Sequence, residues 1–164
     1  MLKYCYEKWD QNKDELESAL RRTDISRVEY RDLLVLTVEN ILNHSESDDI
    51  LPCIPSMHDD EHWDTSQITQ IDDGSYQGTL LFLIPEDCGD PAEYNYLMTY
   101  IGYGSCSGCD LLQSIQPDNH EETTDEDIAE FMALCKDFIT NMVKPYNQGW
   151  RYDDKFEHVT MEEN

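Results

Sequence analysis

A stripe of apolar residues near the carboxyl end constrains the fold of this chain more than any other feature. Between residues 128 and 143, apolar side chains recur every three or four positions: Ile128, Phe131, Met132, Cys135, Phe138, Ile139, Met142 and Val143. This spacing places them on one face of an α-helix, and that face has to be buried. Thr123 or Thr124 is a suitable N-cap, and Pro145 stops the helix. The rest of the chain must therefore supply a layer that covers this face.

Two further helices are predicted nearer the amino terminus. Residues 10–22 contain good helix formers, with Leu16 and Leu20 on one face. The pattern Ser26-x-x-Glu29 matches a capping box and predicts the start of a second helix, which ends near Asn43. We expect this second helix to be buried on more than one side, because additional leucines and an isoleucine widen its apolar stripe.

The middle of the chain has the alternation of β-strands. Residues 67–71 and 76–84 flank Asp72-Asp73-Gly74-Ser75, and Asp-Gly between apolar runs predicts a hairpin. Residues 79–84 are almost continuously apolar, which predicts a central strand covered on both faces. A third strand is predicted over residues 94–101, and Asp110 is expected to cap a short helix that ends at Pro117.

The predicted fold class is α+β, with helices at both ends packed on a small, mainly antiparallel three-stranded sheet. A length of 164 residues is typical of one domain. We therefore assign residues 1–147 to a single α+β domain and residues 148–164 to an acidic C-terminal tail.

The charge of the chain restricts its partners. Thirty-six acidic residues against eleven lysines and arginines leave a formal net charge of −25. A field of this sign repels phosphate backbones and anionic lipids and attracts basic surfaces. We therefore expect no direct binding of nucleic acid, and a basic protein as partner. Solubility alone also explains the charge and is the commoner reason for it among acidic proteins in general.

The amino-terminal residues indicate the cellular compartment. Met1 to Asp10 already carries four charged side chains and no apolar core of a signal peptide. The longest apolar run, residues 79–84, is too short to cross a bilayer. Six cysteines in a chain without an export signal are expected to be reduced thiols. These features predict a cytoplasmic protein that does not bind membranes.

The segment from His44 to Asp64 is rich in acids and contains Pro52 and Pro55, which predicts a surface loop. Its carboxylates are the candidate interaction residues: Asp48, Asp49, Asp59, Asp60, Glu61 and Asp64. They lack the spacing of a calcium-binding loop, so a solvated acidic surface is the preferred interpretation over a cation site.

Cys106 and Cys109 form a Cys-x-x-Cys pair with three interpretations. A zinc site needs four ligands, which Cys53, His58 and His62 could help to complete, although nothing in the spacing requires it. A redox pair would gain from the dipole of a following helix, but the adjacent acid and the net charge oppose thiolate formation.

The third interpretation of this pair is structural. Gly102, Gly104 and Gly108 let the chain turn sharply from strand to helix, with small thiols packed beneath the turn. This interpretation is preferred, so no metal and no cofactor is expected. The five histidines lie in polar stretches, and no catalytic arrangement can be read from the linear sequence. We accordingly expect no catalytic residue and no enzymatic activity.

Three segments carry a resemblance to known proteins: residues 2–10 (LKYCYEKWD), residues 78–85 (GTLLFLIP) and residues 100–110 (YIGYGSCSGCD). Residues 136–138 and 142–147 look similar as well. Together they resemble a family of small, uncharacterised acidic proteins that bacteriophages and prophages carry, mainly in Gram-positive bacteria. The resemblance covers most of the chain to about residue 147. It implies a setting, a phage protein made inside an infected bacterium, and no site residue.

Charge and setting together predict an acidic interaction protein without catalysis. It would bind and inhibit a host defence or nucleic-acid-processing protein, with carboxylates placed where phosphates would sit. One alternative is a small metal- or thiol-dependent protein built on Cys106 and Cys109. Another is a phage protein that a bacterial immune system senses and that needs no activity of its own. The oligomeric state stays open.

Overall fold

The structure, a computed structural model, describes residues 2–44, 62–117 and 123–144. Its elements follow the chain in the order α1 (Lys3–Arg22), α2 (Tyr30–Thr37), β1 (Thr69–Asp72), β2 (Gly78–Pro85), β3 (Tyr96–Tyr103), α3 (Leu111–Ile115) and α4 (Asp125–Thr140). A π-helix, Val38–Leu42, continues α2, and short 3₁₀ turns precede α2 and β1. The predicted α+β class is confirmed.

Helix α1 begins earlier than the sequence pattern indicated. Cys5, Trp9 and Asn12 are buried and continue the face of Leu16 and Leu20 toward the amino terminus at intervals of three and four residues. The Asn12 side chain donates a hydrogen bond to the carbonyl of Ile41, 2.8 Å away, inside the π-helix. A π-helix pairs each carbonyl with the amide five residues later instead of four, and the Asn12 side chain gives the Ile41 carbonyl a hydrogen-bond donor where this change occurs.

The capping box predicted at Ser26 and Glu29 is wrong by one turn. Asp24 accepts hydrogen bonds from the amide and hydroxyl of Ser26, so Ser26 belongs to the 3₁₀ turn Ile25–Arg27. Glu29 is the N-cap of α2, and its amide donates to the Asp32 carboxylate at 2.9 Å. The prediction failed because a shorter local motif competed for Ser26.

The three strands pair antiparallel in the order β1-β2-β3, as predicted. The predicted hairpin is present, but its turn spans residues 73–77 instead of the predicted 72–75. The Asp73 carboxylate closes it by accepting from the Thr79 amide at 2.5 Å. A Cβ at Gly74 would lie 2.2 Å from the Gln77 carbonyl oxygen, so this close approach requires glycine.

Helix α4 covers the inner face of the sheet. The Thr99 hydroxyl on β3 donates to the Phe138 carbonyl at 2.7 Å, and the rings of Phe82 and Phe138 meet edge to face with centroids 5.9 Å apart. Helix α1 packs against α4 and the π-helix. Buried residues from all three described ranges form one core. The predicted tail, residues 148–164, lies outside the described residues.

The other face of the sheet is only partly covered in the described chain. Leu81 and Leu83 on β2 are half-buried, whereas the prediction had both faces of this strand covered. Ile71 and Tyr100 are the cross-strand partners of Leu81, and their side chains are 47% and 48% exposed. We call these four residues the outer sheet face. None of the described helices has the length and apolarity to cross a membrane.

Candidate functional site

The candidate site is the loop of residues 104–110, called the dithiol loop below, which leads from β3 into α3. Its two ends are held by Asp110, which is buried, with 4% of its surface exposed. One carboxylate oxygen accepts from the Gly104 amide at 2.9 Å, and the other accepts from the Gln113 amide at 2.8 Å. The predicted role of Asp110 as the N-cap of α3 is confirmed.

Tyr30, the first residue of α2, fixes this anchor from the other half of the chain. Its hydroxyl donates to Asp110 Oδ1 at 3.2 Å and accepts from the Leu112 amide at 3.1 Å. Burial raises the pKa of Tyr30 to about 12. Gln116 adds a second connection, because its side-chain amide donates to the Val28 carbonyl at 2.8 Å. These hydrogen bonds therefore attach the dithiol loop to the core of the domain, and not only to the end of β3.

Inside the dithiol loop the backbone makes a tight turn around one carbonyl. The Cys106 carbonyl accepts hydrogen bonds from the amides of Cys109 at 2.9 Å and Asp110 at 2.8 Å. A Cβ at Gly104 would lie 2.3 Å from the Cys109 carbonyl oxygen and 2.7 Å from its sulfur, so Gly104 must be glycine. At Gly108 a Cβ would meet only the Cys106 sulfur, at 3.9 Å.

This turn brings the two sulfur atoms of Cys106 and Cys109 to 3.0 Å from each other. Both side chains are exposed and both thiols are free. The expectation that they pack beneath the turn is therefore wrong: Asp110 occupies the interior, and the thiols point to the surface. Of the three glycines predicted to allow the turn, only Gly104 is required by it, since a Cβ at Gly102 or Gly108 would have no neighbour closer than 3.9 Å. The turn presents the thiols instead of burying them.

Cys109 differs in acidity from Cys88 and Cys135. A hydrogen bond from the Cys106 thiol, aided by backbone amides, lowers the pKa of Cys109 below its usual value. Complete burial raises the pKa of Cys135 to about 12. Cys88 is exposed, but partial desolvation and the nearby Glu86 carboxylate raise its pKa. A lowered pKa increases the thiolate fraction, which is the reactive form.

The described residues do not bring the candidate zinc ligands together. Cys53 and His58 lie outside the described residues, and His62 Nδ1 lies 3.7 Å from the Asp87 carboxylate. Within residues 2–44, 62–117 and 123–144, no three His, Cys, Asp or Glu side chains come together as a metal site. Asp110, next to the thiols, has both oxygens occupied by hydrogen bonds.

Of the predicted interaction residues, only Asp64 lies in the described chain. Its carboxylate accepts from the Ser66 amide at 3.0 Å and from the Gln67 side chain at 2.5 Å, which caps the 3₁₀ turn Thr65–Gln67. Hydrogen bonds from Ser66 and then Gln67 lower its pKa. The other five fall outside the described residues: Asp48, Asp49, Asp59, Asp60 and Glu61.

The negative charge is concentrated in one long part of the chain. Residues 32–135 contain no lysine and no arginine, and seven of the eleven basic residues lie at or before Arg31. The part of the structure that holds the sheet, residues 62–117, carries eight acidic residues: Asp64, Asp72, Asp73, Glu86, Asp87, Asp90, Glu93 and Asp110. Both the outer sheet face and the dithiol loop belong to this part.

The chain matches no family model, no curated protein and no solved structure. The resemblance to phage proteins thus stays a prediction from the sequence. The described residues contain two features available for binding or chemistry. One is an exposed dithiol on an anchored loop, and the other is a half-exposed apolar sheet face within a segment free of basic side chains.

Proposed function

We propose that this chain is an acidic interaction protein without catalytic activity, made by a phage inside an infected bacterium. It binds and inhibits a host defence or nucleic-acid-processing protein through a basic surface of that partner. The observation that carries the proposal is the absence of lysine and arginine from residues 32–135. Every formal charge in that segment has the same sign, so its exposed carboxylates favour a basic surface as partner.

The outer sheet face adds the second component that an interface needs. Ile71, Leu81 and Tyr100 lie side by side across the three strands, and two of them are about half exposed. Tyrosine and apolar side chains supply binding energy at the centre of an interface, whereas charges at the rim supply orientation and association rate. Asp72 follows Ile71 directly on β1, at the border of this face.

Inhibition follows from competition. A basic surface that binds nucleic acid does so largely through phosphate contacts. Carboxylates that occupy the same lysines and arginines exclude the nucleic acid without being cleaved or copied. The proposal therefore requires no active site, and the chain acts in stoichiometric amounts.

The test is an affinity capture with two matched variants. Tagged wild-type protein is incubated with lysate of a bacterial host of the phage, and the retained proteins are identified by mass spectrometry. One variant carries Asp59→Lys, Asp60→Lys and Glu61→Lys in the predicted loop. The control carries Asp10→Lys, Asp14→Lys and Glu15→Lys on the exposed side of α1 and changes the net charge by the same amount.

We expect one stoichiometric partner that the wild type and the α1 variant retain and the loop variant loses. Added nucleic acid should displace the wild type from this partner. Equal retention by all three proteins would remove the predicted loop from the interface. Equal loss in both variants would show that total charge, and no defined surface, governs binding.

A further inference from the structure

We propose that Cys106 and Cys109 form a thiol–disulfide exchange site, whose substrate is a disulfide and whose product is an intramolecular disulfide between the two residues. This exchange is stoichiometric, because it consumes the chain's own two thiols, so it is compatible with a protein that has no catalytic activity. It lies beyond the proposed interaction with a basic partner and does not depend on it. Three structural features support it: the separation of the sulfur atoms, their exposure, and the anchoring of the loop that carries them.

The separation of the sulfur atoms is close to what the product needs. They lie 3.0 Å apart, so formation of a bond of about 2.05 Å requires a movement of about 1 Å. The Cys106 carbonyl already holds the turn closed through the amides of Cys109 and Asp110. The reduced loop is therefore already held in the conformation that a disulfide would require. This favours closure, the formation of the Cys106–Cys109 disulfide, over a stable mixed disulfide with the substrate.

The same geometry disfavours zinc as the ligand. A tetrahedral zinc with bonds of about 2.3 Å would hold two sulfurs about 3.8 Å apart and would need two further ligands. The Asp110 carboxylate, the acid next to the pair, is turned inward, where it accepts hydrogen bonds from Gly104, Gln113 and Tyr30. The arrangement thus fits a bond between the sulfurs better than a metal between them.

The reaction balances as two exchange steps with a disulfide R–S–S–R as oxidant. The Cys109 thiolate attacks one sulfur of the substrate and forms a mixed disulfide, while the leaving R–S⁻ takes up a proton from solvent. The Cys106 thiol then loses its proton and attacks Cys109 Sγ, which releases the second R–S⁻ for protonation. Two protein thiols are oxidised, and one disulfide is reduced to two thiols.

The test uses the folded full-length protein in glutathione buffers that range from fully reducing to oxidising. Free thiols are trapped by alkylation, and each cysteine is assigned by peptide mass spectrometry. Cys88 is the internal control, because it is exposed but its pKa is raised. We expect Cys106 and Cys109 to lose two hydrogens together and to be linked under conditions in which Cys88 is still largely reduced.

Two outcomes would overturn the proposal. In one, Cys106 and Cys109 each accumulate a stable glutathione adduct and do not close. In the other, both stay reduced in a buffer that already modifies Cys88. A Cys106→Ser variant provides a positive check, because it should trap the glutathione adduct on Cys109 that the wild type resolves.

A matched pair of glycine variants tests the role of the loop itself. Gly104→Ala places a methyl group against the Cys109 carbonyl and sulfur, whereas Gly108→Ala makes only an ordinary contact with the Cys106 sulfur. We expect Gly104→Ala to lower the equilibrium constant for closure at least about tenfold, since disulfides tolerate little distortion, and Gly108→Ala to change it less than about twofold. Circular dichroism confirms that both variants are folded. Equal constants would contradict the proposed preorganisation.

Discussion

The hydroxyl of Tyr30 lies 3.2 Å from the Asp110 carboxylate and donates a hydrogen bond to it. The two residues are 80 positions apart in the sequence, and their contact joins the start of α2 to the loop that presents the thiols. Asp110 therefore caps α3 and also accepts hydrogen bonds from the Gly104 amide and the Tyr30 hydroxyl. Substitution of Tyr30 tests this connection.

We expect Tyr30→Phe to destabilise the protein by about 1–2 kcal/mol, because it removes one hydrogen bond to a buried carboxylate and leaves the Leu112 amide without its acceptor. The measurement is denaturant unfolding at neutral pH. Tyr76→Phe is the control, since the Tyr76 side chain is 81% exposed. A loss as small as that of the control would show that the hydroxyl does not hold the loop.

The pH dependence of stability should carry a signature of the same tyrosine. Burial raises the pKa of Tyr30 to about 12 in the folded state, above the value of about 10 expected in the unfolded chain. A raised folded-state pKa contributes stability that is complete below pH 10 and is lost as the pH rises toward 12. The stability difference between wild type and Tyr30→Phe should therefore shrink across this window. A difference that stays constant to pH 12 would contradict the shift.

Much of the fold could be predicted because its signals are local. The stripe of α4 follows from the spacing of apolar residues, and the caps Thr124 and Asp110 lie next to the helices they start. The sheet order followed from short connections between consecutive strands. Each of these features depends on residues a few positions apart, so periodicity and turn chemistry are sufficient.

The site was less predictable because its decisive contacts are not local. No spacing connects Tyr30 to Asp110, which meet only after α2 and α3 have packed. The sequence pattern of Gly104, Cys106 and Cys109 indicated a turn, but it did not show which side of the turn faces the core. Asp110 takes the interior because three donors converge on it, and the thiols are left on the surface.

The contact between the rings of Phe82 and Phe138 should be measurable as a coupling energy. The pair is fully buried and has edge-to-face geometry, which contributes about 0.5–1.5 kcal/mol beyond the area that it buries. In a double-mutant cycle of Phe82→Leu and Phe138→Leu, the double variant should be less destabilised than the sum of the single variants by this amount. Strict additivity would mean that the helix α4 does not meet β2 as described.

The pKa of Asp72, at the end of β1, can be measured by titration with nuclear magnetic resonance. The Tyr103 hydroxyl donates to Asp72 at 2.7 Å, and this bond, followed by one from the Gly74 amide, lowers the pKa of Asp72. The stabilising contribution of Asp72 is therefore present above its ordinary pKa and is lost as the pH falls through the lowered one. Tyr103→Phe should raise the Asp72 midpoint toward its ordinary value. An unchanged midpoint would contradict the bond between β1 and β3.

The most direct test of the proposed function is the salt dependence of the complex with the captured partner. The dissociation constant is measured by calorimetry with purified wild-type protein at several salt concentrations between about 50 and 200 mM, where screening of exposed charges changes most. If the charge of the acidic segment drives binding, we expect the affinity to fall at least about tenfold across this range. A dissociation constant that does not change with salt would contradict an interface built on the charge of residues 32–135.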